Sequence, residues 1–202
     1  MFRPMMMALA LALSAACAHS GPIGATSAAA SVVSDQASAR HQAMLDRLVG
    51  RWVLTGVIAG ESTVHDVEAA WVLQRNYVRI TEVSRERTVN GLPAYEATIF
   101  IGWLEDHYVC FWFDNTEVAS GDVTCSAAEA PDSIPLQFRD GQGALIFTNT
   151  FSYDRTDDAW EWRMDNVRNG VANQFALVSL RRRQSAGAPQ GSARFRRRRR
   201  CG

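Results

Sequence analysis

Lysine is missing from this 202-residue chain: all 21 basic residues are arginine. Histidine and cysteine are scarce, at four each. In the body of the chain only His41, His65 and His107 occur, far apart in sequence. A zinc site needs three or four converging ligands, usually with close pairs along the chain. No such set is present, so no metal and no cofactor are expected. A Gly-x-Ser-x-Gly nucleophile elbow is also lacking, and no motif spells out nucleophilic catalysis. Beyond the first residues, no apolar run approaches the roughly 20 residues of a membrane-spanning helix. What is plentiful is aromatic: six Trp, nine Phe and four Tyr, which lean the chain toward β structure. With 47% hydrophobic and 21% charged residues, a folded core is expected.

Residues 1–19 read as a secretory signal. Arg3 gives the positive start, Met5 to Ala12 the short apolar stretch, and Leu13 to Cys17 the small-residue close. Two cleavages compete. Cys17 is the candidate lipidation site of a lipoprotein, although Leu13 lies four places before it where three is usual. Cleavage after Ala18 would instead release a soluble exported protein. Either way the expected address is the periplasm or the outer membrane of a bacterium. Residues 20–39, rich in Ala and Ser, read as a flexible tether.

The formal net charge of zero is a cancellation. Residues 41–180 hold 10 Arg against 20 acids; residues 181–202 hold nine Arg and no acid. The segment 184–202 lacks apolar periodicity and reads as a disordered, Arg-rich tail. It is either a solvated extension or a contact for anionic lipid or polysaccharide, or it folds back onto the acidic body. Nucleic acid is not an expected partner.

Residues 40–183 form the domain. A short helix comes first: Ser38 is placed to cap it, Met44, Leu45, Leu48 and Val49 make one stripe, and Gly50 ends it. After Gly50 the hydrophobic period becomes two. Ten strands are predicted, over 51–59, 64–73, 77–87, 95–103, 107–113, 122–127, 133–139, 144–153, 159–167 and 173–183. Pro135 would suit an edge or a strand start. Tight turns join them, among them Asn90-Gly91, Asp140-Gly141 and Asn169-Gly170. Ten consecutive strands with short connections predict an all-β, up-and-down antiparallel barrel that closes to remove its edges. A two-sheet sandwich is the alternative.

Gly50-Arg51-Trp52, after a short helix and at the start of the first strand, resembles the opening of the calycins, the lipocalin-like barrels. The segments Leu48 to Trp52, Ala70 to Leu73 with Tyr77 to Ile80, Tyr95 to Trp103, Phe111 to Asp114 and Trp160 to Asn166 resemble more closely a bacterial family, domain of unknown function 1579, over roughly residues 41–183. The resemblance implies the barrel and no particular activity. It also implies a structural role for Trp52, closing one barrel end under an arginine of the last strand, here Arg181, Arg182 or Arg183. Haem-binding barrels of this kind carry a late-strand His. Residues 144–183 contain none.

Cys110 reads as a small buried hydrophobe, or as a disulfide partner of Cys125 in an oxidising compartment. A turn near Asn115-Thr116 would set Cys110 opposite Gly121, so the bond requires a bulge or a longer loop. Adjacent His65 and Asp66 point to opposite faces and read as solvated hairpin residues. The residues proposed to line a cavity are Trp71, Tyr77, Arg79, Tyr95, Trp103, Trp112, Trp160, Trp162 and Arg163. In residues 160–166, one parity carries Trp160, Trp162, Met164 and Asn166 and the other Glu161, Arg163 and Asp165; if the first faces inward, the lining is apolar and the acids are on the surface. An inward Arg79 or Arg163 would need a carboxylate or an anionic ligand. Three functions follow. The first is a non-enzymatic binder of a small apolar or amphipathic molecule, such as a fatty acid. The second is a filled barrel that docks through its arginine tail. The third is an enzyme with an inward carboxylate base, Glu82 or Asp165.

Overall fold

The structure is a computed structural model describing residues 39–116 and 123–183. The expected signal with Cys17, the expected tether with Ser38, the expected tail and Cys201 lie outside the described residues. So do residues 117–122.

A helix over residues 39–48 (α1) precedes ten strands: β1 Gly50–Ile58, β2 Glu61–Val72, β3 Tyr77–Ser84, β4 Glu96–Leu104, β5 His107–Asp114, β6 Thr124–Ala128, β7 Ser133–Arg139, β8 Leu145–Asp154, β9 Ala159–Arg168 and β10 Val171–Arg182. Each strand pairs antiparallel with its sequence neighbours, and β1 closes onto β10 from Trp52 opposite Arg182 to Ile58 opposite Ala176. The chain is therefore a closed ten-stranded antiparallel barrel, consistent with a lipocalin-like fold. Among the described residues, no helix is long and apolar enough to cross a membrane.

Alternation sets which side chains fill the interior. On β3, Val78, Ile80, Glu82 and Ser84 are buried while Arg79 is exposed. On β1, Trp52 and Leu54 are buried, and Gly56 lets the closing strand approach. A Cβ there would lie 2.6 Å from the Val178 Cα. Two hairpins use two-residue turns with positive φ at both positions, Ala59-Gly60 (52° and 86°) and Asn169-Gly170 (52° and 75°), as the primed turns require. The first of these starts β2 at Glu61 rather than at Val64. Pro135 pairs with Thr150 of β8, whereas the β6 pairing covers Gln137 to Arg139. Its missing N–H therefore interrupts no β6–β7 pair.

One end of the barrel is plugged. Met44, Leu45 and Leu48 of α1 are buried in the same core cluster as Trp52, Trp160 and Leu180. The Trp52 Nε1 donates to the Leu48 carbonyl at 2.7 Å. Arg182 stacks over the Trp52 ring at 3.8 Å and donates to the Val49 and Arg47 carbonyls at 2.7 and 3.3 Å. These are carbonyls that a helix end leaves without partners, and a cation there suits the helix dipole.

The β5–β6 seam is short, with three residue pairs from His107–Ala128 to Val109–Ser126. That register sets Cys110 opposite Cys125, and the two form a disulfide with Cα atoms 5.2 Å apart. The turn placed at Asn115-Thr116 is corrected: the connection from Asp114 to Thr124 is longer than a tight hairpin.

Candidate functional site

The other end of the barrel is open and holds a cavity of about 340 Å³. Its two walls differ in chemistry. Ile58, Phe147, Met164 and Phe175, from β1, β8, β9 and β10, make an apolar wall. The facing wall is polar: Thr63 and His65 of β2, Glu82 and Ser84 of β3, Tyr95 before β4, and Trp112 and Asp114 of β5. Glu61, Glu86 and Thr116 also line it.

The centre of the polar wall follows from register. Val67 lies opposite Glu82 and His65 opposite Ser84, so His65 and Glu82 are diagonal neighbours on the inward face. Both are buried, at 3% and 1% exposure. His65 Nδ1 lies 2.5 Å from Glu82 Oε1, and its Nε2 lies 2.7 Å from the Thr63 hydroxyl. With Nδ1 donating to the carboxylate, Nε2 accepts from Thr63. Glu82 Oε2 is buried and has no hydrogen-bond partner among the described residues. Burial pushes the Glu82 carboxyl above the usual glutamate range; His65 draws it back, and the charge of Asp114 adds to the rise.

Asp114 is the second acid of the wall. Its Oδ1 accepts from the Thr116 backbone N–H and hydroxyl at 2.8 and 2.6 Å. Its Oδ2 accepts from Trp112 Nε1 at 3.2 Å and from the Tyr95 hydroxyl at 3.4 Å. Burial, together with Glu82 and Asp114 nearby, raises the Tyr95 phenol, so the hydroxyl keeps its proton and donates. The Tyr95 ring stacks on His65 with centroids 5.7 Å apart.

Of the nine residues proposed from sequence, Tyr95 and Trp112 line this cavity. Trp162 lies behind it, fully buried, stacked on Phe151 at 4.3 Å and tilted toward Trp112 at 5.8 Å. Trp71, Trp103 and Trp160 sit at the plugged end instead. Trp71 donates to Asp46 of α1, Trp103 stacks on His41 of α1, and Trp160 packs against Tyr153. Tyr77 covers Gly102 on the outward face beside Phe111. Arg79 is exposed on the outside. Arg163 also points out and holds Asp165 through two nitrogens at 2.8 Å.

Three expectations are thereby corrected. Among the described residues no arginine lines the cavity, and Arg79 and Arg163, the inward cations considered for an anionic head, both face out. Asp165 is covered rather than solvated, and Asn166 is exposed. A bulge in β10 between Gln174 and Ala176 falls opposite this stretch and breaks the simple alternation. His65 is an interior residue, not a solvated one. Its place was written in the alternation: His65 shares the parity of Val67 and Ala69, as Glu82 shares that of Val78 and Ile80.

Among the described residues, no three His, Cys, Asp or Glu side chains converge as metal ligands. A scan of protein-family models finds no match to the chain, and a search of curated proteins finds no relative.

Proposed function

We propose that the barrel binds a small amphipathic molecule in the cavity at its open end. The observation that carries this reading is the two-sided lining: an aromatic and aliphatic wall faces a polar wall whose buried Glu82 Oε2 has no partner. A few placed polar groups among apolar ones characterise small-molecule pockets, and about 340 Å³ falls within their usual range of volumes. The cavity favours this reading over a barrel filled by its own side chains. Ile58 stands at the mouth, half-buried. Ile58→Trp is expected to abolish binding of an uncharged apolar fluorophore while leaving the melting transition in place. Undiminished binding would remove the cavity as the site.

A second reading draws on the Thr63–His65–Glu82 chain. Its order is that of a nucleophile, a base and an orienting carboxylate. On an ester substrate, the Thr63 oxygen would bond to the acyl carbon as its proton passes to His65 Nε2. That proton would then leave with the alcohol, and water would release the acid. Hydrolysis of a nitrophenyl ester that survives His65→Ala would end this reading.

We further propose export, with Cys17 as a lipid anchor or cleavage just after it, and membership of the domain of unknown function 1579 family. The Cys110–Cys125 disulfide supports an oxidising compartment, and the barrel supports the family resemblance. Cys17→Ser is expected to move the protein from the membrane to the soluble fraction. The arginine tail is proposed to contact anionic lipid or polysaccharide. Truncation after Arg183 is then expected to abolish salt-sensitive binding to anionic vesicles.

A further inference from the structure

The charge of the cavity is one-sided. Glu61, Glu82, Glu86 and Asp114 line it, no arginine among the described residues does, and the chain has no lysine. Among the described residues, His65 is the one lining group able to carry positive charge, and Glu82 holds it. Asp114 already accepts four hydrogen bonds. Glu82 Oε2 accepts none from the described residues and is buried, which is costly until a donor reaches it. Aromatic rings stand on both walls: Tyr95 and Trp112 beside the acids, Phe147 and Phe175 opposite.

Resting on the reading of this cavity as a binding site, we propose that it selects amphiphilic cations. An ammonium head lies on the wall carrying Glu82 and Asp114, and its apolar body lies on Phe147, Met164 and Phe175. The head gives Glu82 Oε2 the donor it lacks. It also offsets the like charges of Glu82 and Asp114, whose mutual influence is part of what raises the Glu82 carboxyl. Aromatic faces add cation–π attraction. A hydroxyl head of equal length satisfies the oxygen but gains little from the charges. A carboxylate head meets like charge and finds no arginine.

The test compares octylammonium, 1-octanol and octanoate by calorimetric titration of the full chain at neutral pH and low salt. Octylammonium is expected to bind about tenfold or more tighter than octanoate, with octanol between them. Asp114→Asn and Glu82→Gln are each expected to weaken octylammonium about fivefold or more while moving octanol less than about twofold. Asp114 is partly exposed, so its variant serves if the Glu82 variant fails to fold. Octanoate binding as tightly as octylammonium would overturn cation selectivity and leave the binding reading standing. Octylammonium binding unchanged in Ile58→Trp would overturn the assignment to this cavity. Binding of none of the three would overturn both.

Discussion

The two ends of the barrel are built from the same strands and solve opposite problems. At the plugged end, α1 fills the opening. Trp52, Trp160 and Arg182 donate to the carbonyls of Arg47, Leu48 and Val49, so polar groups exposed by ending a helix are satisfied by the wall they press on. At the open end, no element among the described residues fills the space. Acids crowd one wall, and a buried carboxylate oxygen has no partner among the described residues. The plugged end has one unpartnered buried atom too, His41 Nδ1. That ring is sandwiched against Trp103 with Tyr108 edge-on, and burial lowers its pKa toward the neutral form. Asn149 Nδ2, on β8, is a third such atom, and of the three residues only Glu82 lines the cavity; the expected division is stability at the plug and binding at the open end. Natural folds relax their packing rules at functional sites.

The largest effect that would test this division is at the plug. Trp52 is 1% exposed, and Trp52→Ala is expected to cost about 3–5 kcal/mol in denaturant unfolding. A loss below about 1 kcal/mol would mean that the plug is not where stability resides. The seam between the ends comes next. Cys110–Cys125 bridges 15 residues beside a ladder of three pairs. Replacing both by Ala is expected to cost about 3 kcal/mol by loop closure. Mass mapping without reductant checks the bond itself, and an unchanged unfolding midpoint would remove the seam from the stability account.

At the open end the expected signature is a pH slope rather than a fixed loss. Burial raises the Glu82 carboxyl from its ordinary value of 4.5, so the fold favours its protonated form. That contribution is complete below the ordinary value and is lost as pH rises through the raised one. Glu82→Gln mimics the protonated side chain. Wild type is therefore expected to lose stability relative to this variant as pH rises above 4.5. Parallel stability curves would show that the open end stores no such cost. His65, Tyr95 and Asp114 face the same group, so the difference between the two proteins is the quantity to read.

The plug was more legible in sequence than the cavity, for a physical reason. Met44, Leu45 and Leu48 announce an apolar stripe on a helix, and Gly50-Arg51-Trp52 announces the strand that receives it. The ten strands follow from period-two alternation, with bounds shifted by a few residues where Ala59-Gly60 makes the turn. Register across strands is not carried by alternation. Nothing local says that His65 meets Glu82, that Asp114 gathers Tyr95, Trp112 and Thr116, or that Cys110 faces Cys125 across a longer loop. Large aromatics attract attention as pocket residues, yet Trp71, Trp103 and Trp160 serve the plug. The cavity instead depends on His65 and Glu82, polar residues at positions where their strands otherwise place apolar ones. A polar residue breaking an apolar parity was the available signal.

The smallest expected effect concerns the outside wall, which belongs to neither end. Arg79 faces solvent on β3, one residue from inward Ile80, and Arg163 faces out on β9, holding Asp165. If the interior is acidic and these arginines are exterior, Arg79→Gln leaves octylammonium and octanol affinities within about twofold, because a solvated charge across the barrel wall is largely screened at physiological salt. A rise in octanoate affinity on lowering the salt, lost again in Arg79→Gln, would place that guanidinium within reach of the ligand head. The alternation of β3 would then have to be rotated by one residue, which would also expel Glu82 from the interior. One surface substitution with no expected effect therefore tests the inward placement on which the open end depends.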